Sequence, residues 1–161
     1  FRYVRERNGA YCIPMQESLR KILEFKKAKR PVIVGYISDQ TPFWWNIHHW
    51  LTFLHHDTPV LTGAERIVKH TDQVFVYGDM KRVKRGHYNC DFKVLREDTK
   101  RAKPFEITDE YFRRMEQSIR QQPEIYLWSH NRWKRTRAIF DEHFEYVDGK
   151  VRLQKGKDMI W

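Results

Sequence analysis

The side chains best equipped for chemistry crowd into residues 43–56, where Phe43, Trp44, Trp45, His48, His49, Trp50, Phe53, His55 and His56 stand close together. Imidazoles bind metals and move protons. Adjacent histidines point to opposite faces of a strand, or about 100° apart on a helix, so neither His48-His49 nor His55-His56 converges easily on one ion. A surface that meets lipid fits the segment better, because Trp and Tyr favour membrane interfaces. Asp39, next to Gln40, follows an apolar run. It reads as a turn residue or cap, since Asp bonds local backbone readily, or as a carboxylate of a site. Thr62-Gly63 opens a helix, whose exposed N-terminus can take a phosphate oxygen.

A second cluster interleaves aromatics with bases: Trp128, His130, Arg132, Trp133, Lys134, Arg135 and Arg137. Stacking plus charge would suit single-stranded nucleic acid. An interfacial helix holding anionic headgroups fits the same residues. So does an amphipathic helix whose Tyr126 and Trp133 are simply core. Residues 81–85, KRVKR, read as a solvated turn that can also steer an acidic partner by long-range attraction. The formal net charge of +10 favours polyanions in general. Cys12 and Cys90 make no disulfide framework and fit no zinc spacing.

The elements that must position these groups are those of one globular domain. Aromatics at 15% are too many for a disordered chain, and no apolar run approaches the ~20 residues of a spanning helix. Residues 1–10 read as a basic connector. Met15, Leu19, Ile22, Leu23 and Phe25 recur at helical spacing and end in a basic last turn before Pro31. Val32, Ile33, Val34, Tyr36 and Ile37 predict a buried strand, giving the helix-then-strand signature of an α/β chain. Thr62 and Glu65 fit a capping box. Residues 73–80 and 88–95 alternate as an antiparallel pair turning near Gly86. Thr108 reads as the N-cap of a helix with Tyr111, Phe112, Met115 and Ile119 on its apolar face. Pro123 interrupts that helix, and residues 125–133 read as a second, short one. Val147-Asp148-Gly149-Lys150 predicts a hairpin turn, and Met159, Ile160 and Trp161 must pack on something.

Three blocks in order carry a resemblance: VIVGYISDQTP at 32–42, FLHHDTPVLTGAERIV at 53–68, and QPEIYLWSHNRWK at 122–134. Together they resemble the lauroyl and myristoyl transferases of lipid A biosynthesis. There a strand-Asp turn, a Thr-Gly helix start and a Pro-Glu-x-Tyr-x-Trp-x-His-x-Arg-Phe/Trp-Lys block follow one another. The resemblance spans about residues 11–137, and the third block is the specific one. Members of that family are longer, so the expectation is a C-terminal half: residues 1–137 as part of an acyltransferase domain, and 138–161 as a tail with a possible hairpin. The implied fold is α/β, a partial glycerolipid-acyltransferase-like mixed sheet flanked by helices.

The resemblance implies transfer of a fatty acyl chain from acyl carrier protein to a lipid A precursor or another anionic glycolipid, at the cytoplasmic face of an inner membrane. It implies no nucleic acid partner. No metal or organic cofactor is needed, since the thioester already activates the acyl group. Asp39, Gln40, Thr62, Gly63, Arg132 and Lys134 are the implied substrate-binding residues. The family's general base is a His-x4-Asp/Glu pair, expected upstream of Phe1, so these residues alone are expected to be inactive. The chain's own match, His143 and Asp148, is what chance supplies. Eight histidines and 21 acids in 161 residues give about one such spacing. The alternatives are a basic nucleic-acid-binding module and a non-catalytic, lipid-binding member of the family.

Overall fold

The computed structural model describes residues 2–160, which fall into two units divided between Gly35 and Tyr36. In the first, the expected connector holds a short helix, α1 (Arg2–Glu6). The Glu6 carboxylate accepts from Arg2 Nε and from the backbone N–H of Cys12, folding the chain back. The expected amphipathic helix follows a single 3₁₀ turn as α2 (Ser18–Lys27), with Lys26 and Lys27 in its last turn. Of its apolar stripe only Ile22 is buried, while Leu19 and Leu23 are exposed.

The buried strand predicted at 32–37 does not form. Those residues take part in no ladder, and Ile33 is fully exposed at 101%. A β-branched run becomes a strand only when its backbone N–H and C=O groups find a neighbouring strand, and among the described residues none is paired to it.

Among the described residues, the second unit is mixed α/β, built on three two-stranded antiparallel ribbons. The first, β1 (His49–Phe53) with β2 (His56–Val60), pairs His49 with Val60 and Phe53 with His56. Leu54 and His55 join them with φ of 49° and 67°. Two positive φ values in a two-residue loop match the right-handed twist of the flanking strands. The Leu54 N–H is tied down by Glu116 Oε2 at 3.2 Å. Next comes α3 (Gly63–Thr71). The second ribbon is the expected pair, β3 (Phe75–Lys84) with β4 (His87–Arg96), turning at Gly86 with φ 77°. Then α4 (Glu106–Gln121) buries Phe112, Met115 and Ile119 as anticipated. The chain ends in α5 (Arg137–His143) and the predicted hairpin, β5 (Phe144–Val147) with β6 (Lys150–Leu153), turning at Asp148-Gly149.

Two cap assignments change together. Thr62 precedes α3 but makes no side-chain cap bond, and Glu65 does not reach back to it. Instead the buried Glu65 carboxylate accepts from the Thr108 N–H at 2.9 Å and from its hydroxyl at 2.7 Å. Thr108 is thus inside α4, whose cap position is Phe105 in a left-handed conformation. A tertiary bond to a carboxylate is stronger than a neutral local cap, so it wins both partners. The short helix expected at 125–133 is a 3₁₀ turn at Pro123–Ile125 followed by irregular backbone.

Among the described residues three clusters form the core. Phe53 and Val60 pack on Phe112, Met115 and Ile119, with Tyr126 and Trp133 against them. Trp44 and Ile47 pack on Phe140 and Phe144, with Ile160 against them. Val68, Ala102 and Ile107 join α3 to α4. Trp161 lies outside the described residues. Among those residues, no helix is long and apolar enough to cross a membrane.

Candidate functional site

The site is organised by Arg132, a guanidinium on irregular backbone that is only 4% exposed. It lies over two rings, 5.2 Å from the centroid of Tyr126 and 5.8 Å from that of Phe53. Its Nη2 is 3.5 Å from the Asp39 carboxylate. The backbone is held as well: Thr41 donates its hydroxyl to the Arg132 carbonyl at 2.8 Å. Next to it, the Trp133 indole N–H donates to Thr58 Oγ1 at 2.8 Å. The turn that delivers this segment is closed by the Trp128 indole, which donates to the Pro123 carbonyl at 2.7 Å.

These contacts join segments far apart in sequence. Asp39 and Thr41 come from the first block, Phe53 and Thr58 from the second, and Tyr126, Arg132 and Trp133 from the third. The cation is compensated by one carboxylate and two ring faces, which is how a buried guanidinium avoids an unpaired charge. Tyr111 of α4 is part of the same environment. Burial, and then the negative charge of Asp39, push its phenol far above the ordinary tyrosine range, so it stays protonated.

Residues 1–135 match the sequence profile described as bacterial lipid A biosynthesis acyltransferase. The chain belongs to that family. No curated protein and no solved structure matches it.

Within this lipid A acyltransferase family member, the expected site residues are distributed unevenly. Asp39 and Arg132 meet. Gln40 and Lys134 are exposed, and Lys134 has no ion pair among the described residues. Thr62 is buried and Gly63 exposed at the start of α3. His143 and Asp148 do not meet. The His143 ring contacts the Ile139 carbonyl at 3.2 Å and stands 4.0 Å from Glu142, while Asp148 occupies the hairpin turn.

His48, His55 and His56 sit in separate surroundings. Burial, and then the Arg66 charge, pull His48 below the usual imidazole range. His55 faces Arg120 at 3.3 Å, and His56 packs on Trp133 with ring centroids 4.5 Å apart. Among the described residues, no group of three or more His, Cys, Asp or Glu is placed to hold a metal ion.

The sequence did not reveal a His-carboxylate pair made through space. His49 Nε2 is 2.7 Å from Asp109 Oδ1, and its ring stacks on Phe105 with centroids 4.3 Å apart. The pair lines an open groove of about 520 Å³ between β1 and α4, together with Phe112, Arg113, Glu116 and Arg120. The partners lie 60 positions apart, so no local spacing could have linked them.

A network around Asp79 was also missed. Ser118 donates to buried Asp79 at 2.7 Å, Lys93 donates to it at 2.9 Å, and the Tyr77 hydroxyl is 3.1 Å from Ser118 Oγ. Burial pushes the Asp79 carboxyl up, but Ser118 and the cations Lys93 and Lys81 outweigh it and hold the group below the usual range.

Proposed function

We propose that this chain is the acceptor-binding and supporting part of an acyltransferase that moves a fatty acyl group from acyl carrier protein to a hydroxyl of a lipid A precursor or related anionic glycolipid. In that reaction the thioester C–S bond breaks and an ester C–O bond forms. The acceptor proton passes to a general base, and the carrier leaves as its thiol. The base is the family's His-x4-Asp/Glu pair, supplied by residues other than these 161. The carboxylate of such a pair orients the imidazole.

The observation that carries the reading is the meeting of all three family blocks at Arg132. A segment held on both sides by Thr41 and Thr58 is rigid enough to present its polar groups to a ligand. Asp39, Gln40, Thr62, Gly63, Arg132 and Lys134 are the residues assigned to the acceptor. Acyl carrier protein, which is acidic, is steered by the turn between β3 and β4. There Lys81 and Arg82 are engaged by Asp91 and Glu124, while Lys84 and Arg85 have no ion pair among the described residues. The location is peripheral, on the cytoplasmic face of the inner membrane, with no nucleic acid involved.

The test has two parts. Residues 1–161 are incubated with acyl-loaded carrier protein and a lipid A precursor, and products are read by mass spectrometry. No transfer is expected, and detectable product overturns the assignment of the base elsewhere. Binding of the precursor is then compared with that of Lys134→Gln. About tenfold weaker binding is expected, and equal binding overturns the acceptor role.

A further inference from the structure

Three arginines follow one another closely from the third block into the segment after it, and two of them are neutralised. Arg132 faces Asp39, and Arg137 makes a two-pronged pair with Asp57 at 2.5 and 2.9 Å. Arg135 is different. It is 7% exposed, and its guanidinium lies 5.4 Å from the ring centroids of both Phe43 and Trp44. Among the described residues it has no carboxylate partner, and none of its N–H donors is taken by a protein acceptor. Its Nε is buried and unpaired.

The touching Trp44, 3% exposed, has the same defect: its indole Nε1 is a buried donor with no acceptor. Arginine does not escape by losing its proton, because its pKa lies far above neutrality even when burial lowers it. Two rings offset only part of the cost of a desolvated cation. What the site lacks is an acceptor-rich anion.

We propose that Arg135, with the Trp44 indole, is the seat of a phosphate-type anion. The guanidinium fork matches phosphate oxygens two at a time. Charge selects phosphate over a carboxylate: Arg135 and the adjacent Lys134 are two cations without counter-charges among the described residues, and a phosphate monoester near pH 7 supplies up to two negative charges. At the rim, Phe43 stacks on Trp45 with centroids 5.3 Å apart and planes within 3°, and both rings are exposed. Such a rim suits a phosphate arriving on a lipid headgroup, and the same seat accepts free phosphate. The inference does not depend on the acyl-transfer reading, since it concerns only anion binding by this chain.

The experiment uses residues 1–161 as wild type, Arg135→Gln and Arg135→Lys, with near-ultraviolet circular dichroism to confirm that each is folded. Inorganic phosphate is titrated at constant ionic strength against chloride, following the arginine Nε–H resonances by NMR. In parallel, cosedimentation compares phosphatidylcholine vesicles with and without one-fifth phosphatidic acid. The expected result is one Nε resonance that moves with phosphate, is missing from both variants, and accompanies about tenfold weaker binding in Arg135→Gln. Discrimination in both arms supports the seat for either source. Discrimination by vesicles alone assigns a lipid phosphate, and by the titration alone a free phosphate. No phosphate-dependent Nε shift in the wild type, together with equal vesicle binding by wild type and variants, overturns the proposal. The wild-type titration decides the phosphate arm even where a variant fails to fold.

Discussion

The Arg132 guanidinium and the Asp39 carboxylate approach to 3.5 Å, yet the two partners are buried to different degrees: Arg132 is almost wholly enclosed, and Asp39 keeps a third of its side chain in water. The two ends of the pair are therefore not equivalent. Asp39→Ala leaves a buried cation with ring faces but no counter-charge, a loss of about 3 kcal/mol. Arg132→Met removes the cation while filling the space between Phe53 and Tyr126, and leaves a carboxylate that water can reach, so it costs less. Urea denaturation of both variants, with an unchanged slope, measures the difference. A larger loss for Arg132→Met than for Asp39→Ala contradicts this account.

Asp79 makes stability depend on acid. Its folded carboxyl titrates below the ordinary value, because Ser118 and the cations outweigh the opposing effect of burial. A group whose folded pKa is depressed contributes stability above its unfolded pKa, near 4, and that contribution is lost as pH falls through the lower folded value. Wild type should therefore lose more stability between pH 5 and pH 2 than Asp79→Asn does, the variant being the less stable at neutral pH. Denaturant midpoints across that range check it, and parallel curves for the two proteins would remove Asp79 from the explanation.

The bond from α3 to α4 rests on one carboxylate. Thr108→Val keeps the shape of the side chain but removes the hydroxyl that donates to Glu65 at 2.7 Å. Hydrogen bonds to a charged acceptor contribute about 1.5–3 kcal/mol, and a loss in that range is expected. Thr62→Ala, at the position first read as the cap, should cost less from lost hydrogen bonding, since its side chain makes no cap bond. Thermal unfolding of the two variants separates a tertiary anchor from a local cap.

Helices α2, α3 and α4 and the β3–β4 and β5–β6 hairpins were legible because their signals are local. The stripe Phe112, Met115, Ile119 and the turn at Asp148-Gly149 are written within a few residues. The β1–β2 hairpin was not, because Leu54-His55 lacks the glycine or asparagine that usually marks positive φ. Its turn is held instead by Glu116, from a helix much further along. The strand at 32–37 failed for the opposite reason: propensity was present, and among the described residues a pairing partner was not. Within the site, family resemblance drew attention to Asp39 and Arg132 separately. Their contact, the His49–Asp109 pair and the unpaired Arg135 all depend on packing between distant segments, which no spacing rule encodes.

The β3–β4 ribbon turns only one face toward α4. On the other, Val76 stands opposite Val94 and Met80 opposite Cys90, with Phe92 beside them opposite Gly78, and all of these are exposed. Among the described residues neither long edge of the ribbon is paired. Such a surface is a template for joining one molecule to another. In dilute buffer the net charge of +10 keeps copies apart. At about 1 M salt the screening length falls to about 3 Å, and the repulsion no longer reaches across the gap. Colloidal solubility of this chain is therefore set by ionic strength, with turbidity rising as salt is added.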